Sequence, residues 1–403
     1  MPPTHPSSLT LLAITLATCG HAWAEGGQDL QLRASMGLAH DSNLFRLPDS
    51  ANAQALIGRD SAAETVRITT LGLNYNKAYS LQRVELDVSL VKYSYQNFSY
   101  LDFSALNYRG AWRWSYTPHL RGSLSTARDQ TLNSFIDFQG FNVRNERVNT
   151  NTRFDGTYEL DANWRLIGGL TQAALKNSLQ ITSEADYRQT TLDGGVRYVL
   201  ASGSSAGYTL RSSDGTYTTN RPIPSAGFFD DRFTQTDNEL LATWAISRDT
   251  TADFKAGYRS RTYPNYPQRN FAGMIGAATV NWSYSPKAGV VAGWTHDINA
   301  FETTNTNFSQ TDRFSVGPVW QISPKAVMRV QLAHSVRDFG GSPTALAPLQ
   351  RRDVTRDATV SVEWQPYTFM SLSASLQNAR RSSSLAGFDY SSNLFNISAQ
   401  FTY

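Results

Sequence analysis

Cysteine is all but absent from this 403-residue chain, with Cys19 the only one. That excludes a disulfide framework and any cysteine-built metal centre. An excess of one charge is also missing: 36 Lys+Arg stand against 33 Asp+Glu, for a net charge of +3. The basic residues are scattered, so the chain has no electrostatic footprint for a nucleic-acid partner. No stretch after Gly20 approaches the roughly 20 apolar residues a membrane helix needs. The histidines are His5, His21, His40, His119, His296 and His334, and none pair at metal-ligand spacing. No glycine-rich loop leads into a helix, so neither a nucleotide nor any other cofactor is expected. Aromatic residues, in contrast, are plentiful: 9 Trp, 19 Tyr and 20 Phe, alongside 27 Gly. A chain that is polar on average yet rich in glycine and aromatics has the profile of a membrane β-barrel. A soluble all-β protein is the competing reading at this point.

The N-terminus bears on the compartment. Leu9–Thr18 is a short apolar segment, and Ala22–Glu25 (AWAE) carries a small-x-small cleavage pattern ending at Ala24. The expected division is therefore a signal peptide over 1–24 and a single domain over 25–403. The segment before the apolar run lacks Lys and Arg, a departure from the usual signal peptide. Thr18 before Cys19 fits a lipoprotein box poorly.

Alternation with a period of two dominates the rest. LQLRASMGL puts Leu30, Leu32, Ala34, Met36 and Leu38 on one face, with Gln31, Arg33 and Ser35 on the other. RVELDVSL, LNYRGAWRW, RVNTNTRFDGTY and ATVSVEW repeat the pattern. The connections alternate too. Short links rich in turn formers fall near 76–80, 116–119, 159–163, 201–203, 247–250, 285–287, 323–325 and 365–367. Longer polar links fall near 41–62, 96–102, 129–142, 176–186, 214–232, 261–270, 297–308, 338–350 and 380–389. Tight turns at one rim and loops at the other are the pattern of an outer-membrane barrel.

Eight turns and nine loops join 18 strands, or 16 if one weak hairpin is absent. The weakest segments are Ile167–Leu175 and Ala288–Asp297. An even count puts both termini at the short-turn, periplasmic side. Pro318 cannot donate to a ladder, which predicts a bulge or an early strand end there.

Trp114, Trp164, Trp282, Trp320 and Trp364 all sit near short turns. An amphipathic indole favours the bilayer interface, so these read as an aromatic girdle. Phe395, Ile397, Ala399, Phe401 and Tyr403 alternate to the last residue. Such a final strand resembles the signal read by the barrel-assembly machinery. The fold expected is thus an all-β transmembrane antiparallel up-and-down barrel in the bacterial outer membrane, with lipid around it.

If the apolar face meets lipid, the alternate face lines a lumen. That face is expected to carry Arg67, Arg83, Arg109, Arg113, Arg121, Arg147, Arg153, Arg197, Lys255, Arg259, Arg329 and Arg337. Its expected acids are Glu85, Asp87, Asp155, Asp193, Asp253 and Glu363. Most of these charges are expected to satisfy one another across strands. Guanidiniums left over would attract an anionic or hydroxyl-rich solute. Arg109, Arg113, Arg147 and Arg153 make the best candidate cluster.

HDSNLFRLPD, His40–Asp49, raises a separate question. His40 and Ser42 share one strand face, which faintly resembles the H-x-S-N-G motif of outer-membrane phospholipase A. Leu44 stands where that motif has glycine, and a lipase ranks below a channel. No catalytic residue and no enzyme activity are expected. The other reading is a turn built by Asp41, Ser42 and Asn43. It would feed a loop whose Phe45, Arg46 and Leu47 pack inward and narrow the barrel mouth.

The same stretch, LAHDSNLFRLPD, opening a chain of this length and strand pattern, resembles the EpsL family. These are outer-membrane barrel proteins of exopolysaccharide operons that also encode an exosortase. The resemblance implies an export channel for an extracellular polysaccharide chain, with other polysaccharide export components as partners. A general or solute-selective porin is the alternative.

Overall fold

The computed structural model describes residues 29–137, 139, 142–179, 186–218, 232–301, 306–341 and 350–403. The expected signal peptide at 1–24 lies outside them.

Eighteen strands form one sheet that closes on itself. They are β1 (Leu30–Asp41), β2 (Glu64–Tyr79), β3 (Gln82–Tyr95), β4 (Phe103–Ser115), β5 (Leu120–Leu132) and β6 (Glu146–Glu159). Next come β7 (Trp164–Asn177), β8 (Tyr187–Val199), β9 (Ser205–Tyr217), β10 (Arg232–Ser247), β11 (Thr250–Thr262) and β12 (Phe271–Ser285). The last are β13 (Ala288–Ala300), β14 (Phe308–Ser323), β15 (Ala326–Gly340), β16 (Arg352–Tyr367), β17 (Met370–Ser383) and β18 (Tyr390–Thr402). Each strand pairs antiparallel with its sequence neighbours. β1 pairs with β18 from Arg33↔Thr402 to Asp41↔Leu394, which seals the barrel. Leu32 and Tyr403 add two backbone bonds of 2.7 and 2.8 Å, so the terminal residue is part of the seam. Closure removes every unpaired edge, the condition for a sheet to stand in hydrocarbon. Among the described residues no helix is long and apolar enough to cross a membrane; the crossings are strands.

The alternation has an inverted meaning here. Leu30, Leu32, Met36 and Leu38 are 45–58% exposed, while Arg33 between them is less so. Leu71, Leu90, Leu192, Leu240, Met274 and Phe314 are likewise exposed. A soluble sandwich would bury this face; an apolar face turned outward all round the barrel is a lipid-facing belt. The soluble reading is thereby excluded. Trp164, Trp282, Trp320 and Trp364 are exposed on this belt near the short turns. Trp114 lies flatter, across Gly122 and Gly156 of the next two strands, and stacks on Phe154 with ring centroids 5.8 Å apart. At Gly122 only glycine leaves room for that indole.

Both segments read as weak, in β7 and β13, form full strands. Pro318 is a correction. The β14–β15 ladder lapses between Val316↔Leu332 and Val319↔Arg329, but the register is the same on either side. The missing N–H costs two rungs without a bulge, because the β13 side still pairs Pro318 with Val290. Arg67 is a second correction. It pairs with outward-facing Leu38 and shares the parity of Leu71, so it stands on the outer wall and not in the lumen.

Candidate functional site: the lumen and its two mouths

The β1–β2 and β3–β4 loops and the described segment after β5 pack together at the long-loop end of the barrel. In the first, Asn43 organises the chain: its Nδ2 donates to Leu47 O (2.7 Å) and Ser391 O (3.0 Å), and its Oδ1 accepts from Leu47 N (2.9 Å). Asp41 accepts from Asn43 N at 2.9 Å. This turns the chain sharply enough that Arg46 adopts φ +57°, a conformation that costs a non-glycine residue about 1–2 kcal/mol. The Arg46 guanidinium meets Asp41 at 2.8 Å with both side chains 5% exposed. That buried pair holds the strained residue in place. Phe45, fully buried, packs edge-on against Phe98 (4.8 Å between centroids) and against Phe135 (4.6 Å). Leu47 and Ile57, the latter on the short helix α1 (Ala53–Ile57), complete the cluster. Glu64, also fully buried, accepts backbone N–H groups of Gln96, Asn97 and Phe98 at 2.7–3.1 Å. Its carboxylate thereby fixes the β3–β4 loop beneath Phe45.

The segment after β5 reaches across the mouth. Asp137 there meets Arg337 of β15 at 3.1 Å, Arg351 before β16 at 3.2 Å and Arg381 of β17 at 3.5 Å. Arg381 also donates to Ile136 O at 2.7 Å. Asp353 is the second acid of the cluster, 2.6 Å from Arg351 and 3.7 Å from Arg381. Three guanidiniums therefore share two carboxylates in a nearly dry setting. Aromatic faces cover them: Arg351 lies 4.0 Å from the Phe388 ring centre and 4.3 Å from Phe339, and Arg337 lies 4.6 Å from Phe301. Burial alone would raise the Asp137 carboxyl, but Arg337, Arg381 and Arg351 outweigh it and hold the group below its ordinary range. A second aromatic cluster, Phe233, Tyr263, Phe271, Ile275 and Ile298, fills the opposite wall of this mouth.

Lower in the lumen the charges pair across strands. Arg33 meets Asp87, and Arg329 meets Glu363 at 3.1 Å. Arg153 forms a two-pronged bond to Asp193 (2.6 and 2.9 Å), reaching it over Gly169, where a Cβ would collide with the guanidinium. Arg259 bridges Asp237 and Asp297 at 2.9 and 3.0 Å.

The short-turn mouth differs. Arg83, Arg113, Arg121, Arg165 and Arg197 face inward from β3, β4, β5, β7 and β8, with Glu159 on β6 between them. Register makes the row continuous: Arg83↔Arg113, Ser115↔Arg121, Glu159↔Arg165 and Arg165↔Arg197. The acids the row meets are Glu85 and Glu159. Arg113 holds Glu85 at 2.9 and 3.0 Å, with Arg83 at 3.6 Å. Arg121 and Arg165 share Glu159 at 2.7 and 3.2 Å. Arg83, Arg113 and Arg121 are about half exposed (51–52%). Among the described residues Arg197 has no ion pair. The result is a wet cationic arc over six adjacent strands.

Comparisons with known proteins agree with this geometry. Residues 242–403 match the family model described as "Putative beta-barrel porin 2". The fold is similar to a BenF-like porin from Pseudomonas fluorescens Pf-5: TM-score 0.54, 11% identity, 93% of this chain and 99% of that chain covered. It is also similar to Pseudomonas aeruginosa OccK9 (OpdG), with TM-score 0.53 and 12% identity, and OccK1 (OpdK), with TM-score 0.51 and 12% identity. Both pairings cover 93% of this chain and 99% of the other. No curated protein matches the chain in sequence. The chain is an 18-stranded β-barrel of the bacterial outer membrane.

Within that barrel the residues singled out from sequence separate into distinct settings. Arg83, Arg113, Glu85 and Arg197 belong to the arc. Arg109 faces the lumen just inside it, 68% exposed and only loosely paired with Asp129 at 3.6 Å. Asp155 accepts from Ser123 at 2.8 Å. Arg153 and Arg259 are locked to their acids. Arg109, Arg113, Arg147 and Arg153 do not form one cluster: Arg113 turns to Glu85, Arg153 to Asp193, and Arg147 lies at the loop end of β6. Arg46 points into the wall at Asp41 and Ser392, away from open lumen. His40 binds Thr65 at 2.9 Å, while Ser42 accepts from Asn393 N at 2.8 Å, so the two are engaged apart. A histidine turned from the serine gives no activated nucleophile. Asp137, Arg351, Arg381, Asp353 and Glu64 were not singled out. Arg165 and Glu159 of the arc were not anticipated either. Of all these, only Asp137 carries a local signal, an acid set beside Phe135 in the link after β5.

Proposed function

We propose that the barrel is a porin-like channel that favours small anionic or hydroxyl-rich solutes, with its loops extracellular and its termini periplasmic. The cationic arc at the short-turn mouth carries this reading. Arginines there outnumber the carboxylates they meet, three of them (Arg83, Arg113 and Arg121) are half exposed, and they present planar donors that match carboxylate, phosphate and vicinal hydroxyls. The "Putative beta-barrel porin 2" match supports a channel. Planar-bilayer recordings under a KCl gradient test it: the reversal potential should show anion preference. Arg113→Glu with Arg121→Glu should move it toward cations. Cation preference in the unaltered barrel, or no shift in the double variant, would reject the assignment.

One observation favours a second reading, an exit for an acidic polysaccharide. Six adjacent strands at about 4.8 Å spacing give an arc of roughly 24 Å, long enough for several sugar units of one extended chain. The resemblance at His40–Asp49 to barrel proteins of exopolysaccharide operons points the same way. An acidic oligosaccharide that blocks current from the short-turn side only, with affinity rising with chain length, would favour export over a general porin.

A further inference from the structure

We propose that the outer wall of β15–β17 binds an anionic, phosphate-bearing glycolipid of the outer leaflet through His334, Arg356 and Arg380. These residues share the outward parity of Leu332, Val360 and Leu376. They also lie in direct register: His334↔Arg356 and Arg356↔Arg380. Arg356 and Arg380 are exposed, and His334 is half-buried. Among the described residues none of the three side chains has a hydrogen bond or ion pair. The next outward cation toward the loops, Arg352, already has Asp338 at 3.7 Å.

Like charges placed directly opposite on neighbouring strands destabilise a sheet. Two bare guanidiniums side by side therefore call for an anion between them. A phosphate suits the site because each planar guanidinium can donate two bonds to its oxygens. A lipid, more than a free ion, suits the location. The cations point away from the lumen, and on the turn-ward side the same three strands continue into exposed Leu332, Val360 and Leu376. Acyl chains would lie along that apolar strip while the phosphate sits on the arginines. The outer leaflet follows from the loops-outside orientation proposed above, on which this inference rests.

The test is native mass spectrometry of the purified full-length barrel titrated with a bis-phosphorylated diglucosamine lipid. The Arg356→Ala/Arg380→Ala variant should bind about thirtyfold more weakly, since each basic side chain near a phosphate surface contributes about one factor of five. Arg356→Lys/Arg380→Lys should retain most binding, and Arg67→Ala, an outward cation on β2, should leave it unchanged. Heat-modifiable gel migration verifies that each variant is folded. Equal binding by the alanine variant overturns the proposal. Phosphatidylglycerol binding as tightly overturns the assignment to the outer-leaflet glycolipid. Displacement by millimolar inorganic phosphate shows a free-anion site and overturns the lipid. Ion selectivity is read separately, so failure of the channel reading leaves a distinct signature.

Discussion

Replacing Asp137 with asparagine probes the loop closure most directly. The carboxylate is 12% exposed and faces Arg337, Arg351 and Arg381, whose own side chains are 9%, 5% and 2% exposed. The amide would keep one acceptor and lose the charge, leaving three guanidiniums around Asp353 alone. Breaking a buried charge network by removing one partner costs about 3–5 kcal/mol. The retained hydrogen bond and the Phe45–Phe135 contact, which does not depend on the charge, argue for the lower end. At about 3 kcal/mol, the ratio of released to latched loop rises about 150-fold. Single-channel recordings should then show the D137N barrel dwelling in a state of higher conductance that the unaltered barrel visits rarely. Limited proteolysis should cut the β5–β6 loop faster. An unchanged conductance histogram together with unchanged cleavage, in a barrel shown to be folded, would refute the latch. The pH dependence has a definite sign. The Asp137 carboxyl is held below its ordinary range. The latch is therefore intact throughout the usual carboxylate range and is lost only as pH falls through that lowered value. Release at mildly acidic pH would contradict the assignment.

The remaining predictions concern the wall. Gly169→Ala pushes the Arg153 guanidinium off its path to Asp193; with Arg153 35% exposed and its far end free to shift, the urea midpoint of unfolding should fall by an amount equivalent to about 1 kcal/mol. An unchanged midpoint would mean that Arg153 reaches Asp193 by another path. Gly122→Ala drives a methyl into the backbone oxygen of Asp155 on β6 and into the Trp114 indole, and should destabilise the barrel by about 1–3 kcal/mol. Trp114 fluorescence should shift with it, and a spectrum identical to the parent would rule out the displacement. Asp41→Asn removes the partner of strained Arg46 and should loosen the first loop, detectable as faster hydrogen exchange at Leu44 and Leu47.

The barrel was legible because its determinants are local. Alternation in LQLRASMGL or ATVSVEW, turn formers at regular intervals and tryptophans near one rim each speak within a few residues. They add up to 18 strands without knowledge of any long-range contact. Arg67 shows the limit of that logic. Parity is relative, and only the register Leu38↔Arg67 reveals which wall it occupies. Pro318 shows another: whether a missing N–H breaks a strand depends on which neighbour it faces. The mouth was legible in part. Phe45 and Leu47 are too apolar for an exposed loop, so inward packing could be anticipated. Asp137 could not be matched with Arg337, Arg351 and Arg381, because the partners lie 200 to 244 residues away in sequence. The same holds for the arc: the parity of Arg83, Arg113, Arg121 and Arg197 was readable, but Arg165, in a strand read as weak, and the continuity over six strands were not.

The two mouths treat charge in opposite ways, and this separates their roles. In the Asp137 cluster at the loop end the ions are nearly dry, each is met by an acid or an aromatic face, and none can exchange its partner for a passing solute without being stripped of a buried contact. At the short-turn end Arg83, Arg113 and Arg121 are half in water, where ion pairs are weak and easily exchanged. A solute anion can take the place of Glu85 on Arg83 or Arg113 at little cost. Opening should therefore be controlled at one end and selectivity at the other, through groups with no shared partners. Perturbations at sites that share no contacts add. D137N should change conductance and leave the reversal potential alone, and the Arg113→Glu/Arg121→Glu pair should do the reverse. The combined variant should show both effects at full size. If D137N alone shifts ion selectivity, the Asp137 cluster itself faces the ion path, and the division between a latched mouth and a selecting mouth fails.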